Sequence, residues 1–306
     1  MLGALIAPAS ALAAAPTITT GRVTKVTPTS AVLHGKVDPN GTATSYIFDL
    51  GPTKLYGARS PVQSAGSGNK AVSVRWVVVA GLAPATTYHY RLVGIRGNKT
   101  FFGKDRTFKT DRQPLGVSLA ATPNPIRMGR HTTLAGTLSG TGNAGRRVQL
   151  QANPWPYAGF LGGLVNDQFT TATGSFSFFV PRVDVNTQYR VLMPAKPNVV
   201  SPIVVLGTVS HVTRHAKVKR GDRRARIRFT GRIRPALDGA AVEIQKLRKG
   251  NWTNIAQTNA VHTNKGYSRY SKRIRQKHGG RYRVVVIHGA HAPTVSRSIR
   301  LRHLRD

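Results

Sequence analysis

The sequence predicts an all-β chain folded as three tandem β-sandwiches, and three observations carry that expectation. Short runs rich in Val, Ile, Thr and Tyr recur along nearly all of the 306 residues, punctuated by 31 Gly and 18 Pro. Such a pattern marks many strands joined by tight turns. Apolar spacing of the helical kind is nearly absent. The length exceeds what one small core organises and suits two or three domains of about 100 residues each. Cys is absent, so disulfides and Cys-ligated metal sites are excluded and the fold must rest on packing.

The chain opens MLGALIAPASALAAAP, an apolar, small-residue run ending in Ala11-Leu12-Ala13. Small residues there suit a signal peptidase, so residues 1–15 are expected to be a leader for export, although no Lys or Arg precedes the apolar part. A secreted or cell-envelope protein is the consequence. No later stretch reaches the roughly 18 apolar residues that span a bilayer, so no transmembrane anchor is expected.

Residues 17–111 alternate strand-like runs with turns. Val32 to Val37 is followed by Asp38-Pro39-Asn40-Gly41, and Ser45 to Leu50 by Gly51-Pro52. Ala71 to Ala80, Thr87 to Gly94 and Thr107 to Thr110 follow, and these five are among about seven short strands expected at sandwich spacing. The sharpest local signal is GLAPATTYHYRL, Gly81 to Leu92. Its Leu82, Pro84 and Tyr88 suit a tyrosine corner, with the Tyr hydroxyl returning to the backbone a few residues upstream. Together with Ser30-Ala31, Leu33, Gly35, Tyr46, Phe48, Tyr56-Gly57 and Thr107-Phe108-Lys109-Thr110, these residues give the segment a resemblance to the fibronectin type III-like modules of secreted actinobacterial proteins. That resemblance implies a spacer or adhesion unit with no shared catalytic residues.

Residues 116–207 and 210–303 read as two copies of a further unit. Gly136 answers to Gly231, Gly145 to Gln151 answers to Gly239 to Gln245, Gly174 to Gly266, and Tyr189-Arg190-Val191 to Tyr282-Arg283-Val284. A near-constant offset is the signature of a repeat with small loop differences. Each copy is similar to a bacterial immunoglobulin-like sandwich. Short linkers are expected near Asp111 to Gly116 and Gly207 to His211.

No constellation points to catalysis, and an enzyme is not expected. Gly140-Thr141-Gly142-Asn143-Ala144-Gly145 matches a dinucleotide fingerprint, but a strand-like run follows it where a pyrophosphate cradle needs a helix. The ten acids are scattered, with several in turn contexts such as Asp38-Pro39 and Asp238-Gly239, which leaves neither a carboxylate pair nor a calcium cluster. His211, His215, His288 and His291 lie in segments that do not converge as metal ligands, and no cofactor is expected. Arg220-Gly221-Asp222 spells an integrin-type tripeptide in a stretch where Arg and Gly are abundant, and is read as chance. The loop holding Trp155 and Tyr157 is a candidate for stacking on a sugar face, or for capping the end of its sandwich.

Charge is the remaining signal. Residues 208–306 hold 25 of the 46 Lys and Arg and only four acids, a net +21 (25 − 4) within the total of +36. Like charges at this density favour a polyanionic partner. Arg224, Arg226 and Arg228 alternate with Ala225, Ile227 and Phe229, and the same alternation recurs through Arg281 and Arg283 and through Arg300 and Arg302. These seven Arg are therefore expected to stand on outer faces, where guanidinium groups grip phosphate or carboxylate. The expected partner is an anionic cell-wall or extracellular polymer. Nucleic acid is the weaker alternative, because few aromatics interleave with the Arg rows. A spacer without any ligand is the third.

Overall fold

The computed structural model describes residues 14–302 except Val79, Leu164, Asp222 and Arg223. Most of the expected leader, and Asp222 of the Arg-Gly-Asp run, lie outside the described residues. Among those described, the regular elements are all strands, and no helix is long and apolar enough to cross a membrane. The chain divides into two compact units between Pro114 and Leu115.

The first unit is one sandwich. Strands Thr17–Thr24, Ala31–Asp38 and Val72–Val78 make one antiparallel sheet. Ser45–Gly51 pairs with Thr87–Arg96 at the centre of the other, with short strands at both edges. Leu33, Phe48, Tyr90 and Leu92 close the core between them. At the start of strand Thr87–Arg96 the Ala83 N–H donates to the Tyr88 hydroxyl at 2.8 Å, which is the corner that GLAPATTYHYRL predicts. Tyr90, two residues on, sends its hydroxyl to the Gly21 carbonyl at 2.8 Å.

This sandwich also holds a buried carboxylate, in a strand and away from the turns. Asp49 is 2% exposed and accepts from Arg59 Nε at 3.0 Å and Arg91 Nε at 2.9 Å. Pairing of this kind is what makes a carboxylate tolerable in a core. Arg91 also lies over the rings of Tyr56 and Phe102, and the Tyr56 hydroxyl donates to Asp105 at 2.9 Å. Burial first, then that hydrogen bond to Asp105, pushes the Tyr56 phenol up to about 12. Two acids that read as isolated in the sequence are thus linked through Arg91 and Tyr56.

The second unit contains two cores, one from Val117 to Leu206 and one from Val212 to Leu301. The same strands build both. In one, Arg130–Ser139 with Ser175–Val183 faces Arg147–Pro154 with Thr187–Met193; in the other, Ala225–Arg234 with Ser268–Gln276 faces Ala241–Arg248 with Gly280–His288. The equivalence reaches single atoms. A Cβ on Gly136 would meet the Ser118 carbonyl at 2.0 Å and the Phe176 ring, and one on Gly231 would meet the Thr213 carbonyl at 2.0 Å and the Tyr270 ring. Glycine is required at both positions by the same close approach. Val191 N–H donates to Ser201 Oγ, and Val284 N–H to Ser296 Oγ, each at 2.9 Å. Gly140 to Gly145 forms the turn between strands Arg130–Ser139 and Arg147–Pro154, as expected from the strand-like run after it.

One expectation is corrected and one sharpened. Trp252, an aromatic in a strand-like run and so expected in the core with Val242, Ile244, Tyr282 and Val284, does not enter it: it pairs across from Leu247 on the outer side of its sheet, where Arg283 covers it. Its strand, NWTNIAQTN, lacks the alternation that would assign its faces. The short linker expected at residues 207–211 is itself ordered. Thr208–Val209 pairs in parallel with Ile126–Arg127, and strand His211–Val212 begins at once. Thr208 Oγ1 meets His291 Nδ1 at 2.8 Å, and the Asn186 N–H donates to the Ala290 carbonyl at 2.8 Å, so the two sandwiches of this unit share an ordered junction.

Candidate functional site

The outer face of one sheet in the third sandwich gathers the charge. Its strands are His211–Val212, His215–Lys219, Ala225–Arg234 and Ser268–Gln276, with Ala225–Arg234 in the middle. Alternation buries Ala225, Ile227, Phe229 and Ile233 and turns Arg226, Arg228, Arg232 and Arg234 outward. Antiparallel register then sets like charges side by side. One rung across the sheet reads Lys219, Arg226, Arg275, and the next reads Lys217, Arg228, Arg273. Arg232 faces Arg269 further along. Directly opposed residues stand about 5 Å apart at Cβ, close enough for mutual repulsion.

Among the described residues, no carboxylate on the face neutralises these cations. In the third sandwich, among the described residues, the one ion pair is His262 with Asp238, and Glu243 accepts from Gln245 on the other sheet. Arg228 Nε donates to Ser271 Oγ at 3.0 Å, and Arg232 and Arg234 lie over the Tyr267 ring at 4.8 and 5.2 Å. Tyr270 is committed inward. Its hydroxyl donates to the Thr213 carbonyl at 2.9 Å, and burial drives its acidity far down.

The seven Arg singled out by alternation divide between two sheets on opposite sides of the core. Arg226 and Arg228 stand on the cationic face, with Arg224 exposed just ahead of their strand. Arg281 and Arg300 oppose each other on the second sheet, and Arg302 is exposed beyond its last strand. Arg283 is already occupied: Nε donates to Gln245 Oε1 at 2.8 Å and the guanidinium lies 4.5 Å from the Trp252 ring centre. Arg190 in the second sandwich does the same with Gln151 at 2.7 Å and Phe160 at 4.1 Å. That arrangement therefore belongs to the repeat.

Sequence reasoning missed Lys217, Lys219, Arg232, Arg234, Arg269, Arg273 and Arg275. The signal was present in SRYSKRIRQ, Ser268–Gln276, whose Arg residues recur with period two. Lys246 is the exception among the cations, being buried beside Tyr282. Nζ donates to the His278 carbonyl at 2.9 Å and to Gln276 at 3.2 Å, and burial, with Arg248 adding repulsion, lowers its basicity.

Trp155 and Tyr157 lie at the junction between the second and third sandwiches. Their rings meet edge to face at 5.4 Å, Trp155 remains 43% exposed, and its indole comes within 3.3 Å of where a Gly289 Cβ would stand. Among the described residues no three or more His, Asp or Glu gather as metal ligands would.

Fold and face define a class: an all-β array of tandem β-sandwiches, one of them carrying a cationic sheet. Among solved structures, the chain is similar to the FN1-FN3 domains of chicken CNTN1, with a TM-score of 0.31 and 14% identity over 94% of this chain and 99% of that one. It is also similar to the sensor domain of the anti-sigma factor RsgI4 of Pseudobacteroides cellulosolvens, with a TM-score of 0.22 and 23% identity over 32% of this chain and 90% of that one. No protein-family model matches the chain, and no curated protein matches it.

Proposed function

We propose that this is an exported, non-catalytic structural or adhesion protein that adsorbs to an anionic cell-envelope or extracellular polymer through the cationic sheet of its third sandwich. One observation carries the proposal: the adjacent rungs Lys219–Arg226–Arg275 and Lys217–Arg228–Arg273, with no carboxylate among the described residues of that face. Opposed like charges weaken a sheet, so a face built this way gains from a polyanion laid across it. Export rests on the N-terminal run and on the resemblance of residues 17–111 to modules of secreted actinobacterial proteins. The two later sandwiches are taken as immunoglobulin-like repeats of bacterial type. Trp155 and Tyr157 offer a secondary contact to glycan at the junction.

A nucleic acid fits less well. Stacking of bases needs free rings among the cations, and here Tyr267 is covered by Arg232 and Arg234 while Tyr270 is buried. The test is retention of the full chain on purified cell wall, heparin and DNA over a range of salt. With about six anionic groups engaged on a flexible polymer, log K should fall against log salt with a slope of about −4. The variant Arg226→Gln, Arg228→Gln, Arg273→Gln, Arg275→Gln should lose affinity by up to about a thousandfold, at roughly 1 kcal/mol or less per contact. Salt-insensitive retention, or a quadruple variant that binds as well as the parent, would sink the proposal. Tighter binding to DNA than to cell wall at equal salt would favour the nucleic-acid alternative.

A further inference from the structure

A second concentration of donors lies off the sheet face, in a cleft of about 590 Å³ where the second and third sandwiches meet. Arg127 enters from the second sandwich, carried there by the parallel pairing of Ile126–Arg127 with Thr208–Val209. Ser210, His211, Arg214, His215 and Arg297 enter from the third. Among the described residues no carboxylate lines the cleft, and three Arg share its lining.

Two buried atoms in its wall lack partners. Ser210 is 6% exposed, and its N–H is satisfied by Thr294 Oγ1 at 3.0 Å, but its Oγ meets no hydrogen-bonding group. Arg214 donates through Nη2 to the Ser298 carbonyl, which pins the guanidinium and leaves Nε buried and unpaired. A buried polar group without a partner costs about 1–3 kcal/mol, so folded proteins seldom leave two together unless something else completes them. The missing element is an acceptor. Charge requires it to be an anion, and the number of donors exceeds what the two oxygens of a carboxylate accept comfortably. A tetrahedral oxyanion offers more oxygens and suits the planar fork of Arg.

We infer that this cleft is a discrete binding site for one phosphate or sulfate group, held by Arg127, Arg214, Arg297 and the Ser210 hydroxyl and completed only when the two sandwiches are docked. It is separate from adsorption on the cationic sheet: it needs a single oxyanion in a fixed place, where the sheet needs many anions in none.

Calorimetric titration of the full chain with inorganic phosphate, at constant ionic strength balanced with chloride, tests it. Saturable binding of one phosphate per chain is expected, with sulfate competing and acetate competing poorly. Arg127→Gln and Arg297→Gln, both at exposed positions, should each weaken binding about tenfold, the loss of one charged hydrogen bond. Arg273→Gln, on the sheet face, should change it less than about twofold, because Arg273 does not line the hollow and its exposed charge is screened by salt. Titration with glycerol phosphate separates the sources: binding as tight as phosphate assigns a group carried on a larger molecule, and weaker binding assigns the free ion. Non-saturable uptake, or equal losses in all three variants, would overturn the site by reducing it to net charge. Loss of polymer retention in the sheet variants with phosphate binding intact separates failure of the one reading from failure of the other.

Discussion

The second and third sandwiches carry the same rungs with different chemistry. On one rung of the second, Thr122, Thr133 and Phe179 stand in register; on the corresponding rung of the third stand Lys217, Arg228 and Arg273. The next rung is Ala120, Ala135 and Ser177 in one and His215, Thr230 and Ser271 in the other. The shared framework hardly changes: Gly136 and Gly231 meet the same obstacles inside, and Arg190 and Arg283 make the same pair of contacts on the outer side of the other sheet. A neutral copy folds the same sheet without a single cation on that rung, so the fold has no need of the charge. What differs between the copies is therefore what this sheet turns outward.

The inner equivalence is broken most severely at the glycines. Gly136→Ala and Gly231→Ala should each destabilise by about 3 kcal/mol, since the new methyl must displace backbone carbonyl and a packed ring. Urea unfolding of each variant checks this, and a large loss in one copy with none in the other would refute the equivalence. A smaller effect is expected at the shared Arg. Arg190→Met and Arg283→Met each remove a hydrogen bond to Gln and a cation over a ring, together worth about 1 kcal/mol, and the two losses should match.

The outer difference is sharpened by making one rung of the third sandwich neutral, as its counterpart in the second is. Arg228→Thr with Arg273→Ser should raise stability by roughly 0.5 kcal/mol at low salt, as opposed like charges are removed, and the gain should shrink as salt rises. A loss of stability at low salt would mean that these side chains hold the sheet together.

The smallest effect is a pH dependence unique to the third copy. Burial, with His288 adding repulsion, lowers the basicity of His291 at the junction. An unfolded His takes up its proton near pH 6.5 while the folded one resists, so stability is full above about pH 6.5 and falls as pH drops below it. His262 has the opposite sign. Its hydrogen bond to Asp238 raises its basicity, so its contribution is present at low pH and lost as pH rises through the folded value. Unfolding curves from pH 5 to 8 should show the fall below about pH 6.5 diminished in His291→Asn.

Much of this was legible in the sequence, where the signal was local. Alternation placed Ala225, Ile227 and Phe229 inward, a twelve-residue motif located the Tyr88 hydrogen bond, and Gly136 matched to Gly231 announced the repeat. The charged face was only half legible. Alternation tells which way Arg228 and Arg283 point within their own strands but not which sheet each strand joins. The partner of Arg228 is 45 residues away at Arg273, and register across that distance is set by packing. Trp252 was misplaced for a related reason: without alternation in its strand, an aromatic ring reads as core, although Arg283 covers it from outside. Asp49 was overlooked because one acid gives no pattern until Arg59 and Arg91 fold onto it.

The short parallel pairing of Ile126–Arg127 with Thr208–Val209 has a mechanical consequence. A chain that leaves one sandwich already paired to it has no slack before it enters the next. If the third sandwich lies flat on a surface through its cationic sheet, the second cannot swivel freely; it is held at a set angle. An adsorbed molecule of this kind is oriented as a bracket is, and a tug on the second sandwich reaches the surface contact as torque.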